Sequence, residues 1–171
     1  MDYMASIELA MKNEKTEAEF YKNEAKRSNN QLASEMFNKL ADEEKEHMTR
    51  IAELNDKLIA EGKWPKDVAI QARDTNVRQV LDEMIAKTGS LRNHDDDDVK
   101  ALEKAVEFEA KGALFYADLS RTCQNPMEKN FFEFLSRIER EHQLSLADSL
   151  AYLKDPEGWM MQHGRAGLDG A

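Results

Sequence analysis

Cysteine, proline and glycine are scarce in this chain, and each scarcity excludes something. Cys123 is the only cysteine in 171 residues, so neither an internal disulfide nor a four-cysteine iron or zinc site can form. Three prolines and seven glycines leave few helix breakers. With abundant Ala, Glu, Lys and Leu, that points to a mostly helical protein of one domain. No apolar run reaches membrane length, and no basic segment followed by an apolar one opens the chain, so a cytoplasmic protein without a membrane partner is expected. A basic tract is also missing. The formal net charge of −10 argues against nucleic acid and suits a protein that attracts cations.

What is present is helical periodicity. It predicts a first helix from about Ser6 to Arg27, with an apolar stripe at Ile7, Ala10, Met11, Ala18, Tyr21 and Ala25. After the turn Ser28-Asn29-Asn30, a second helix capped by Asn30 should reach about Ala60 and end at Gly62 and Pro65. Residues 62–94 form a long crossover with a short amphipathic helix near Val77 to Lys87, stopped by Gly89. The run Asp95 to Asp98 precedes a third long helix, about Val99 to Thr122, where its carboxylates favour the helix N-terminus. The spacing of a calcium loop is missing from that run. Asn125-Pro126 opens a fourth helix that ends near Leu153. The bundle thus spans 1–154. The tail 155–171 holds four of the seven glycines, shows no period, and is expected to dock through Trp159, Met160 and Met161 onto the bundle or a neighbouring subunit. A homodimer is expected.

A shift of 95 residues lays the chain on itself. It superimposes Glu14 on Glu109, Phe20-Tyr21 on Phe115-Tyr116, Asn30 on Asn125, Phe37 on Phe132, Leu40 on Leu135, Glu44 on Glu139 and His47 on His142. The chain is therefore two helical hairpins of one design, and the long crossover allows the second and third long helices to lie parallel. Along the second helix, Phe37, Leu40, Glu44, His47, Ile51, Leu54 and Leu58 are three or four residues apart and share one face. The fourth repeats this with Phe132, Leu135, Glu139, His142, Leu146, Leu150 and Leu153. Glu14 falls between Met11 and Ala18 on its stripe, and Glu109 between Val106 and Ala113.

Six ionisable groups thus occupy core positions with no Lys or Arg in the same seams. An unpaired buried carboxylate costs several kcal/mol, on the order of a small domain's whole stability. Two divalent cations would balance four carboxylates and leave two imidazoles as further ligands. Glu14 and Glu44 each lie about 15 residues from the first turn, roughly 22 Å at helical rise, so they face each other. Glu109 and Glu139 are spaced identically about the second. Tyr21 and Tyr116 follow Glu14 and Glu109 by two turns. Each is either a core aromatic or a hydroxyl that orients a ligand carboxylate from the opposite hairpin. Glu17, one turn from Glu14, offers an extra carboxylate opposite Gly112 in the repeat. Glu46 and Glu141 point off the seam, His94 and His163 lie outside the pattern, and Cys123 is a small packing residue.

The pattern of Glu14 with Phe20-Tyr21, Glu44-Lys45-Glu46-His47, Glu109 with Phe115-Tyr116, and Glu139-Arg140-Glu141-His142 resembles the ferritin-like di-iron carboxylate proteins, most specifically the erythrin domain of the rubrerythrin group. The resemblance covers about residues 5–154. It implies a ferritin-like antiparallel bundle in which Glu44 and Glu139 bridge two irons. Glu14 and His47 would complete one iron, Glu109 and His142 the other. It implies reduction of O2 or hydrogen peroxide, with ferroxidase iron handling or a passive Zn or Mn site as alternatives, since Glu/His ligands are not iron-specific. Two departures stand out. The rubredoxin module is missing, so an external electron donor such as a rubredoxin-like protein is required. The group's additional third-helix glutamate also has no match near Gly112.

Overall fold

The computed structural model describes residues 3–65, 75–88 and 96–165. Among them the chain is all helix: α1 Tyr3–Arg27, α2 Gln31–Glu61, α3 Val77–Thr88, α4 Asp96–Thr122, α5 Pro126–Lys154 and α6 Pro156–Arg165. None of these helices is long and apolar enough to cross a membrane. The expected boundaries follow from capping chemistry. The Asn30 side chain accepts the Ala33 N–H at 3.0 Å, and Asn125 accepts the Met127 N–H at 2.8 Å beside Pro126 in the first turn. Gly62 closes α2 in the left-handed region at φ 65°, returning its N–H to Leu58 O. Gly89, the expected stop of α3, and His94 lie outside the described residues.

The hairpins α1–α2 and α4–α5 pack face to face. Side-chain pairs fix their directions. Glu14 meets His47 and Ala25 meets Ser34, so α1 is antiparallel to α2. Glu14 also meets Tyr116 and Tyr21 meets Glu109, so α1 is antiparallel to α4. Hence α2 and α4 run the same way, and the crossover must return along the bundle. Its helix α3 packs on α2 and α5 through buried Val77, Leu81 and Met84, with Arg78 paired to Asp148 of α5 at 2.9 Å. The result is a ferritin-like helical bundle.

The core is divided in two. One apolar plug gathers Tyr21, Met36, Phe37, Leu40, Leu102, Leu146, Tyr152 and α3. The other gathers Ile7, Ile51, Leu54, Trp64, Tyr116, Phe131, Phe132 and Leu135. The ionisable seam lies between them.

Two details differ from expectation. Helix α4 begins at Asp96, so Asp96, Asp97 and Asp98 form its first turn instead of preceding it. Asp98 is wholly buried and accepts from Ser28 Oγ at 2.6 Å and from the Asn30 N–H at 3.0 Å, clamping the α1–α2 turn. The tail is also not aperiodic, because α6 follows α5 after Asp155 alone. Asp155 Oδ1 accepts the Gly158 N–H at 2.9 Å and Pro156 opens the first turn, a standard start for a helix. Trp159 packs its ring on Tyr152 and donates Nε1–H to Asp148 at 2.7 Å, while Met160 and Met161 stay exposed. Of the three expected docking residues, Trp159 alone is buried.

Asp98→Ala would strand the Asn30 N–H in a buried turn and remove a charge-assisted bond to Ser28. Urea denaturation should show a loss of about 2–3 kcal/mol. A loss within error of zero would mean that the turn does not depend on the clamp.

Candidate metal centre

Helical spacing carries the seam residues inward as a set. Glu14 from α1, Glu44 from α2, Glu109 from α4, and Glu139 and His142 from α5 have no exposed surface, and His47 from α2 is 5% exposed. Their ligand atoms form two overlapping quartets, Glu14–Glu44–His47–Glu139 and Glu44–Glu109–Glu139–His142, each with all four atoms within 4.8 Å of one another. Glu44 and Glu139 belong to both. The two imidazoles stack with centroids 5.8 Å apart.

The chain's own hydrogen bonding leaves this layer incomplete. Glu17 Oε2, Glu44 Oε1, Glu109 Oε2, both oxygens of Glu139 and His142 Nδ1 are buried without a hydrogen-bond partner. His142 Nδ1 is 3.0 Å from Glu44 Oε1 and 3.5 Å from Glu109 Oε2, yet is aligned for a hydrogen bond with neither. Atoms turned together without bonding each other are what a shared cation requires. The oxygen and imidazole donors fit a pair of divalent or trivalent metal ions.

Both tyrosines orient carboxylates across the hairpins. Tyr21 donates its hydroxyl to Glu109 Oε1, and Tyr116 donates to Glu14 Oε1. Each ring stacks on a phenylalanine, Tyr21 on Phe37 and Tyr116 on Phe132, so the 95-residue repeat extends to the packing behind the site. Burial and the facing carboxylate push both phenols well above their ordinary range.

Burial and mutual repulsion shift the ionisable groups of the layer strongly. Burial raises Glu14 to about 7 against the pull of the His47 hydrogen bond. It raises Glu17 and Glu139 well above the carboxylate range, with neighbouring carboxylates adding to the effect. Burial opposes charge on His47, but Glu44 and Glu14 outweigh it and hold the imidazole up at about 10. Against the same opposition, Glu109 and Glu44 lift His142 well above its ordinary value. Burial would raise Glu44 too, but the two imidazoles drive it well below.

Two more carboxylates enter the layer. Glu17 is 1% exposed, among Glu14, Glu44 and Glu109. Its repeat position is Gly112, where an added Cβ would lie 3.0 Å from Glu139 Oε2. Glu43, unremarkable in the sequence beside Glu44, reaches His142 Nε2 at 3.0 Å from the opposite hairpin. Its repeat counterpart is Ile138, fully buried, and that contrast was the available sign that position 43 faces inward. The remaining candidates lie elsewhere. Glu46 and Glu141 pair with Arg50 and Arg137 on the surface. His163 stacks on Trp159, and Cys123 donates to Leu119 O at 3.1 Å.

Metal uptake should release protons. His47, raised in the fold, stabilises the metal-free protein below its unfolded value and loses that contribution as pH climbs through about 10. Metals must displace that proton, so affinity falls as pH is lowered, and calorimetric binding heats should scale with buffer ionisation enthalpy. Heats independent of buffer would show that the imidazoles are already neutral. Gly112→Ala gives a second check. Alanine favours the helix by about 0.8–1.0 kcal/mol, and a free Glu139 side chain can yield to the new Cβ. Melting without metal should therefore hold or rise, while metal-induced stabilisation shrinks. An undiminished metal effect would show that Glu139 needs no such room.

Comparison with known proteins agrees with this geometry. A family model described as Rubrerythrin matches residues 6–150, a span that contains every residue of both quartets. Searches of curated proteins and of solved structures gave no match. On the family match and the helical bundle together, the chain belongs to the rubrerythrin family of ferritin-like di-iron proteins.

Proposed function

We propose that the chain binds two iron ions and is an oxidoreductase that reduces hydrogen peroxide or O2. The observation that carries this reading is the pair of quartets sharing Glu44 and Glu139 in a layer closed by apolar plugs above and below. Iron supplies the redox chemistry when bound, two Fe2+ ions giving the two electrons that peroxide reduction needs. Glu44 and Glu139, common to both quartets, would be shared by the two ions, with Glu14 and His47 completing one position and Glu109 and His142 the other. Tyr21 and Tyr116 hold Glu109 and Glu14 in their rotamers, and Glu17 offers a further carboxylate beside them. The plugs keep bulk water from competing for the ligands. These 171 residues hold one cysteine, too few for a four-cysteine centre, and the reading assigns electron delivery to a donor outside this bundle, such as a rubredoxin-like protein.

Anaerobic loading with Fe2+, followed by peroxide and O2 in separate stopped-flow runs, tests the reading. Fast oxidation by peroxide at two irons per chain is expected, and Glu44→Ala with Glu139→Ala should abolish metal binding. Iron accumulating beyond two per chain would shift the reading to ferroxidase iron handling. An iron spectrum that neither oxidant changes would leave a passive Zn or Mn site.

A further inference from the structure

We infer that Glu43 is a positioning residue that sets His142 for one of the two metal positions and makes that position the tighter one. The inference rests on the di-metal reading above. Glu43 Oε2 lies 3.0 Å from His142 Nε2, and the histidine is completely buried. The other Glu43 oxygen accepts the backbone N–H of Asn76 at 3.1 Å, the Thr75 side chain adds a hydrogen bond, and Lys39 Nζ stands 3.4 Å away. The carboxylate is thus pinned by three separate segments: its own helix, Thr75 and Asn76 just before α3, and α5.

A histidine ring has two nitrogens, and the partner of one decides what the other can do. Donation of Nε2–H to Glu43 leaves the lone pair on Nδ1, the atom facing Glu44 Oε1 and Glu109 Oε2. The carboxylate therefore selects the tautomer, fixes the ring and raises its basicity as a ligand. The repeat does not supply this twice. Position 138, the counterpart of Glu43, is a buried isoleucine, so His47 receives no matching carboxylate from α5. Two positions built from the same ligand types thus differ in the support behind one imidazole. The same carboxylate joins the crossover to the site through Asn76.

Stepwise Co2+ titration followed in the visible spectrum tests the inference, with Glu43→Gln chosen because it keeps side-chain volume. The unsubstituted protein should take up two Co2+ in distinguishable steps. Glu43→Gln should weaken the tighter step tenfold to a hundredfold, by roughly the amount that loss of an imidazole's outer partner costs, and leave the other step unchanged. The substitution should add nothing in a His142→Ala background and keep its effect in a His47→Ala background. A mere tether of the crossover would instead lower the metal-free melting temperature and leave the ratio of the two steps intact, which would overturn the inference. Equal weakening of both steps, or of neither, would do the same. A protein that takes up no Co2+ at all would instead sink the di-metal reading, and this inference with it.

Discussion

A carboxylate taken out of water must find a cation, a proton or a set of donors. This bundle buries Glu14, Glu17, Glu44, Glu109 and Glu139 in one layer, with Glu43 half-buried at its edge and too few donors. Glu14 and Glu109 each receive a tyrosine hydroxyl, whereas neither oxygen of Glu139 has any hydrogen-bond partner. The layer cannot relax outward, because apolar plugs pack against it from both ends and the four long helices surround it. The rest of the structure is arranged around keeping this concentration of charge in place. Long helices set the ligand height, tyrosines set the carboxylate rotamers, and the Asp98 clamp locks the turn from which α1 and α2 measure their distance to the site.

The internal repeat explains how such a layer arises with few specifications. One hairpin supplies a glutamate, a tyrosine two turns later, and a Glu-x-x-His pair on the returning helix. A second copy, placed antiparallel across the bundle, brings its tyrosine to the first copy's glutamate. Within the first hairpin His47 bonds Glu14 and Glu44, but the tyrosine donors cross between hairpins, since Tyr21 serves Glu109 and Tyr116 serves Glu14. The site is therefore completed only where the two hairpins meet, and each quartet draws on both of them.

This division also shows which features the sequence could reveal. Glu44 and His47 stood out because their neighbours at three and four residues are Leu40 and Ile51, so a polar pair had to face the core. The six seam positions were legible for the same reason, and the length of the crossover allowed the parallel course of α2 and α4. Glu43 was not, because it lies within the run Asp42-Glu43-Glu44-Lys45-Glu46, where a charge offset by one residue looks like the solvated side of a helix. Only its apolar counterpart Ile138 marked the position as inward. The α6 helix was obscured by glycine content, although Trp64 and Trp159 stand 95 residues apart and each packs into one of the two plugs. The repeat therefore extends past the fourth long helix, and the same tryptophan serves as an anchor at opposite ends of the bundle.

Where the repeat breaks is as informative as where it holds. A perfectly duplicated site would have two equivalent positions, and nothing in the protein would direct the order of filling or the approach of an oxidant. Here the departures fall directly on the site. Glu17 faces Gly112 in the alignment, so one half gains a carboxylate where the other gives room to Glu139. Glu43 faces Ile138, so one imidazole gains an outer partner and the other does not. Both substitutions are costly as packing, since each puts a charged side chain at a position whose counterpart is buried and uncharged. The two quartets, alike in ligand type, therefore differ in the side chains that stand behind them.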